Sequence, residues 1–311
     1  PYAKSKKAID DYLLSLSIPA IILRPSLVYG RGSYGGMSLF RGLAGLPWFI
    51  LIPGNGQQLL QPIHVEDLSK AVVRLIEQPK PQPMILTAVG PKTISFKSIL
   101  VALRNWLGFT KAICLFIPTQ IIYLGMLLGN LFPYSVANTS AYKMMKINNI
   151  ASESETRHFH ELINFQPREF NSGLFSQPSS VQDRWHARLY FLKPALRISM
   201  AFIWLMSAIT SAFLYPMERS YTLLDTIGVN HFWQPILLFG ASLLNGLVGL
   251  ALLANFQIHK VNRLQLMVIL LYTGIISITL PQLWIEPFGS VAKNIPLIVA
   301  ILIMMAWESD R

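Results

Sequence analysis

The chain has 311 residues, 26 Lys and Arg against 15 Asp and Glu, 52% hydrophobic and only 13% charged residues. Water-soluble domains carry about 25% charged residues, so the composition excludes a disordered chain and argues against one lying wholly in water. Residues 1–194 hold 20 Lys/Arg and 10 Asp/Glu while residues 195–311 hold 6 and 5, which predicts a basic water-soluble domain followed by a membrane domain.

Cys114 is the only cysteine, so neither an intrachain disulfide nor a cysteine-based zinc site can form. The chain opens on Pro1, with three lysines by residue 7 and no apolar run behind them, and reads as a piece whose true start lies upstream. Residues 4–17 have a helical pattern, 20–23 form a short buried strand, 67–78 are helical with Asp67 as cap or first-turn acid, 79–83 are a stiff proline connection, and 84–89 are a further strand. This alternation predicts an α/β sheet.

The first chemical signal is Tyr2 and Lys6. Residues four apart share one face of a helix, so the phenol and the ammonium can enter one pocket. A phenol titrating near pH 10 is a poor base at neutral pH, and a neighbouring cation favours the phenolate. A downward shift of three units needs about 4 kcal/mol of differential stabilisation.

Residues 30–35, GlyArgGlySerTyrGly, fit G-x-G-x-x-G. They read as a loop near the substrate pocket, because ArgProSerLeuValTyr separates them from the strand and no acid occurs between Arg31 and Glu66. Residues 112–142 are uncharged and contain Pro118, Gly125, Gly129 and Pro133. They suggest a helix lying on the bilayer, with a further membrane span as the alternative. His158, His160 and Glu161 lie on a polar helix with no third partner in view, so no metal is expected. No basic motif interleaved with aromatics points to nucleic acid, and anionic lipid is the simpler partner for the positive charge.

Four apolar stretches follow, at about 197–216, 232–256, 264–285 and 291–307, the last including Lys293. Their lack of charged faces predicts four transmembrane helices. Arg184, Arg188, Lys193 and Arg197 precede the first, Lys260 and Arg263 join the second to the third, and Arg311 ends the chain. The excess of positive charge in those connections places the α/β part and the C-terminus on the cytoplasmic side of an inner membrane, in a multi-pass protein. Trp204, Trp233, Trp284 and Trp307 are expected as headgroup-level anchors.

Tyr2 and Lys6, then Arg24, Pro25, Tyr29 and Gly30, then ProGlyAsnGly at 53–56, then His64, Val65 and Asp67 resemble, in order and spacing, the C-terminal half of an extended short-chain dehydrogenase/reductase of the NAD-dependent epimerase/dehydratase group. The resemblance implies a Rossmann-type fold, with Tyr2 as general acid/base. It gives Lys6 the tasks of lowering the tyrosine pKa and binding the nicotinamide ribose, and places Pro25, Ser26 and Val28 near the nicotinamide, mainly through backbone. NAD or NADP is the implied cofactor, and a small-molecule carbonyl, hydroxyl or sugar-nucleotide compound the implied substrate. The family's phosphate-binding turn and active-site serine belong upstream of Tyr2, so residues 1–311 alone are expected not to bind dinucleotide.

Residues 142–150 and 164–170 resemble the atypical branch that includes the nucleotide-binding accessory subunit of respiratory complex I. That branch implies the alternative of a non-catalytic, NADPH-binding structural or regulatory subunit docked on partners in a membrane complex. Trp284, Pro287, Gly289, Lys293, Asn294 and Pro296 match the pattern of the DoxX-like membrane domain, a four-helix module. The expected organisation is therefore 1–180 for the dehydrogenase part, 181–194 for a linker and 195–311 for the DoxX-like domain.

Overall fold

The structure is a computed structural model that describes residues 2–16, 18–79, 82–129, 147–287 and 289–308. They divide into two compact units, one ending at Tyr190 and the other beginning at Phe191.

In the first unit the order is α1 (Tyr2–Ser15), β1 (Ile21–Pro25), β2 (Val28–Tyr29), α2 (Gly35–Gly45), β3 (Phe49–Pro53), β4 (Leu59–Leu60), β5 (Ile63–His64), α3 (Val65–Ile76), β6 (Met84–Ala88), β7 (Ile94–Ser95), α4 (Phe96–Trp106), β8 (Ile113–Ile117) and α5 (Thr119–Gly129). After the undescribed stretch come α6 (Glu153–Ile163), α7 (Phe170–Phe175) and α8 (Val181–Leu189). β1 pairs in parallel with β6, β2 with β5 and β3 with β8, while β4 and β7 are antiparallel. Parallel pairs joined through helices are the Rossmann-like α/β arrangement that the alternating pattern predicts.

Two cores hold these layers. Leu86 and Ala88 of β6 pack with Ile63, with Ala71 and Leu75 of α3, and with Phe159 and Ile163 of α6. Tyr29 and Met37 pack with Ile99, Leu103 and Trp106 of α4 and with Phe170 and Leu174 of α7. Helix starts are set locally. Ser152 and Glu155 form a reciprocal capping box on α6, Ser180 and Asp183 another on α8, and the His64 ring accepts from the Glu66 amide at α3.

Two expectations need correction here. Residues 181–189, expected within a linker, are helical because the Ser180 cap starts α8, and Ala187 and Asp183 are buried against α2. The uncharged run from 112 does not open as a helix on the bilayer. Its first residues, IleCysLeuPheIle, are strand formers and become β8, and only then does the 11-residue α5 begin. The rest of that run, and residues 142–146, lie outside the described residues.

The second unit contains α9 (Leu192–Ile209) continued by a π-helical turn (Thr210–Leu214), α10 (Met217–Thr226), α11 (Gln234–Leu253), α12 (Ile258–Thr279), a 3-10 turn (Pro281–Trp284) and α13 (Asn294–Glu308). Among the described residues three helices are long and apolar enough to cross a membrane: residues 181–214, α11 and α12. The fourth expected span becomes α13, whose 15 residues rise about 22 Å against a hydrocarbon core of roughly 30 Å. Lys293 precedes it. The third span shifts to 258–279, because Pro281 lacks the amide that would extend the ladder and opens a 3-10 turn instead.

Met200, Ala201, Val248, Leu252, Val268, Ile301 and Met304 form the bundle core. Trp204, expected as a headgroup anchor, is buried there, and its indole donates to Gln265 Oε1 at 2.8 Å. Gln265 donates to Asn262 and Asn245 to Ser207, so hydrogen bonds tie α9 to α11 and α12 inside an apolar bundle.

Candidate functional site

α1 and β1 are joined by a short connection and held together by an ion pair. Arg24 Nε and Nη2 donate to Asp10 Oδ2 at 3.0 and 2.7 Å. Asp10 lies five residues before the end of α1, and Arg24 is the fourth residue of β1, so the chain reverses and the helix runs back along the strand. Tyr2 lies eight residues before Asp10, about 12 Å away along the helix axis. Lys6 is one turn closer and exposed. The side chains of Tyr2, Ala3 and Lys4 lie outside the described residues.

The carboxyl end of β1 carries Pro25, Ser26 and Val28. Pro25 is exposed and Val28 half-buried. Ser26 is buried, its amide donates to Ala88 O at 3.1 Å and its hydroxyl donates to Asn149 O at 2.9 Å. Both of its donors are thus engaged within the fold, which leaves its carbonyl as the group to meet a ligand.

Gln61 extends this network. Its side-chain amide donates to Gly90 O at 2.8 Å and to Thr156 Oγ1 at 3.2 Å, and accepts from the Ala151 amide at 3.0 Å. Buried and fully bonded, it fixes the loop after β6 against the start of α6. Above it opens a cleft of about 730 Å³ lined by Lys92, Thr93, Glu153, Arg157 and His160. Pro91, Lys92 and Thr93, just past the carboxyl end of β6, form one side of it.

A second polar cluster supports the site from below. Arg168 reaches Asp67 through Nε and Nη2 at 2.9–3.1 Å, its backbone amide reaches the same carboxylate at 2.9 Å, and Nη1 reaches Glu66 at 3.0 Å. Tyr29 lies edge-on to His64, ring centroids 5.0 Å apart, and its hydroxyl donates to Glu169 O at 3.3 Å. Burial, reinforced by the Asp67 charge, pushes the Tyr29 phenol far above its ordinary range. Burial and the nearby Arg168 push the His64 imidazole below its usual value, against the pull of Glu66 and Asp67. The crevice beside them holds only about 20 Å³, room for a single water. Tyr29 is thus a core residue. A Cβ on Gly173 would sit 2.2 Å from its hydroxyl, so only glycine fits there.

The structure also corrects the reading of residues 30–35. β2 runs directly into Gly30 and α2 begins at Gly35, so a strand does precede the glycines. They still make a poor phosphate cradle. A Cβ on Gly30 would lie 2.4 Å from Val65 Cγ1, so that glycine serves packing, and Arg41 closes the loop by donating to Gly30 O and Asp183 Oδ1 at 2.7 Å each. Sequence reasoning missed the roles of Gln61, Asn149, Arg41, Asp183 and Arg168. The contacts that define them reach across 29 to 142 residues of chain, and no local spacing signals those. Among the described residues no three His, Cys, Asp or Glu side chains gather as a metal site.

Residues 1–86 match the NAD dependent epimerase/dehydratase family, and residues 201–302 match the DoxX-like family. No curated protein is found to match this chain. Similar solved structures include UDP-glucuronic acid 4-epimerase from Bacillus cereus, in complex with UDP-glucuronic acid and NAD, at 18% identity over 61% of this chain and 51% of that one, TM-score 0.40. dTDP-glucose 4,6-dehydratase from Bacillus anthracis, in complex with NAD, has 18% identity over 62% and 54%, TM-score 0.42. An epimerase from Methanothermobacter thermautotrophicus has 14% identity over 60% and 48%, TM-score 0.41. The chain spans about half the length of these structures.

Proposed function

We propose that the whole protein is a membrane-anchored NAD(P)-dependent oxidoreductase or epimerase, its α/β unit on the cytoplasmic side. The observation that carries this reading is the Asp10–Arg24 pair, which ties α1, bearing Tyr2 and Lys6 one turn apart, to β1, which ends at Pro25. The family match over residues 1–86 supports it.

The residues present suit the nicotinamide end of a dinucleotide: Lys6 for the ribose, and Pro25, the Ser26 carbonyl and Val28 for the ring. The packing role of Gly30 argues against residues 30–35 as the pyrophosphate site, which this reading assigns to an upstream segment. When bound, the dinucleotide supplies hydride transfer. Tyr2 then passes a proton to or from the substrate oxygen, and Lys6 favours the phenolate by its charge. The Asp10–Arg24 pair holds α1 in place for that transfer. Lys92 and Arg157, with Glu153 also in the lining, offer the cleft cationic groups for an anionic substrate such as a sugar nucleotide.

The test is turnover of NADH or NADPH by the intact, full-length protein against carbonyl, hydroxyl and sugar-nucleotide compounds. A nicotinamide absorbance change with one class supports the reading. Dinucleotide binding without turnover across all three overturns it in favour of a non-catalytic subunit.

A further inference from the structure

The first unit carries an apolar surface that water alone does not account for. α5 reads ThrGlnIleIleTyrLeuGlyMetLeuLeuGly, with no charged residue, yet Ile121 and Leu124 are each 62% exposed. A helix without a polar face is ordinarily buried or set in lipid. α5 adjoins the β3–β8 pair, for Gly54 at the end of β3 donates to Ile117 O and lies against Thr119.

That pair is apolar on its outward face as well. The register sets Phe49 beside Ile113 and Leu51 beside Leu115, and the two β8 residues are 71% and 45% exposed. Ile50 and Ile52, alternating with them, turn into the core. Trp48, 78% exposed in a left-handed conformation at φ 63, accepts the Ile113 amide at the strand entrance. Indole at the rim of an apolar surface is the pattern of a bilayer interface.

Charge selects the kind of surface it meets. Residues 78–152 contain seven Lys and Arg and no Asp or Glu. One of them, Lys111, is exposed two residues before β8, at the edge of the patch. The described residues of α5 rise about 16 Å. An apolar helix, an apolar strand face, an exposed indole and a lysine at its edge together fit the headgroup region of an anionic leaflet. The chain's own candidate spans keep such a leaflet within reach.

We propose that α5 and the outward face of β3 and β8 form a docking surface for anionic phospholipid, which seats the α/β unit on the bilayer. This requires nothing of the catalytic reading.

The test uses the full chain reconstituted in vesicles, with Cys114→Ser as background and spin labels placed singly at Ile113→Cys, Ile121→Cys, Leu124→Cys and, as an exposed control on α3, Arg74→Cys. Collision with lipid-soluble oxygen and with a water-soluble nickel chelate is compared in phosphatidylglycerol and in pure phosphatidylcholine vesicles. Docking predicts that the labels at 113, 121 and 124 favour oxygen, that 74 favours the chelate, and that the preference weakens in phosphatidylcholine. Replacing Lys111 by Gln lowers the docked-to-undocked ratio roughly fivefold. Chelate access at 121 and 124 equal to that at 74 overturns the proposal. Shielding of both from oxygen and chelate alike also overturns it, since the cover is then protein.

Discussion

Arg168 grips Asp67 with two side-chain nitrogens and its own backbone amide, across 101 residues of chain, and so fastens the start of α7 to the first turn of α3. The carboxylate is nearly buried while the guanidinium keeps about a third of its surface in water. Asp67→Asn keeps the shape and removes the charge. It should cost about 2 kcal/mol, less than a fully buried pair because Arg168 stays partly solvated. In detergent the melting temperature of the α/β unit should fall by roughly 4–8 °C.

Arg41 and Asp183 form the buried counterpart, 2.7 Å apart, with the guanidinium also 4.9 Å from the Trp106 ring centroid. Arg41→Met leaves an uncompensated carboxylate and should cost about 3–5 kcal/mol, whereas adding Asp183→Leu recovers most of the loss. A double-mutant cycle by urea unfolding in detergent measures the difference.

His64 gives the fold a pH dependence. Its folded-state pKa is lowered, so between that value and the unfolded value near 6.5 the unfolded chain binds more protons. Its contribution to stability is therefore complete above about pH 6.5 and falls as pH drops toward the lowered value. His64→Asn keeps a cap acceptor for the Glu66 amide and removes the titration. The variant should lose less stability than the parent between about pH 7 and pH 5, as followed by thermal melts.

Much of this was legible in the sequence because it is local. The 3.6 period marks α1 and α3, the runs of β-branched and aliphatic residues mark β1 and β6, and charge-free stretches mark α9, α11 and α12. β8 was hidden, because an apolar run without charge reads alike as strand, buried helix or membrane segment. α8 was read as linker because its burial depends on Arg41, 142 residues before Asp183. Trp204 was read as an anchor because only the bundle brings Gln265 to its indole. Tyr2 and Lys6 were visible as a spacing of four, but the Asp10–Arg24 pair that sets α1 along β1 required coordinates.

The central claim is that Tyr2 moves the proton. Its most direct measurement is steady-state turnover of the intact, full-length protein and its Tyr2→Phe variant, with dinucleotide affinity determined in parallel. The account predicts that kcat falls by about 10²–10⁴-fold while dinucleotide affinity stays within a few-fold. Equal turnover in the variant would contradict it.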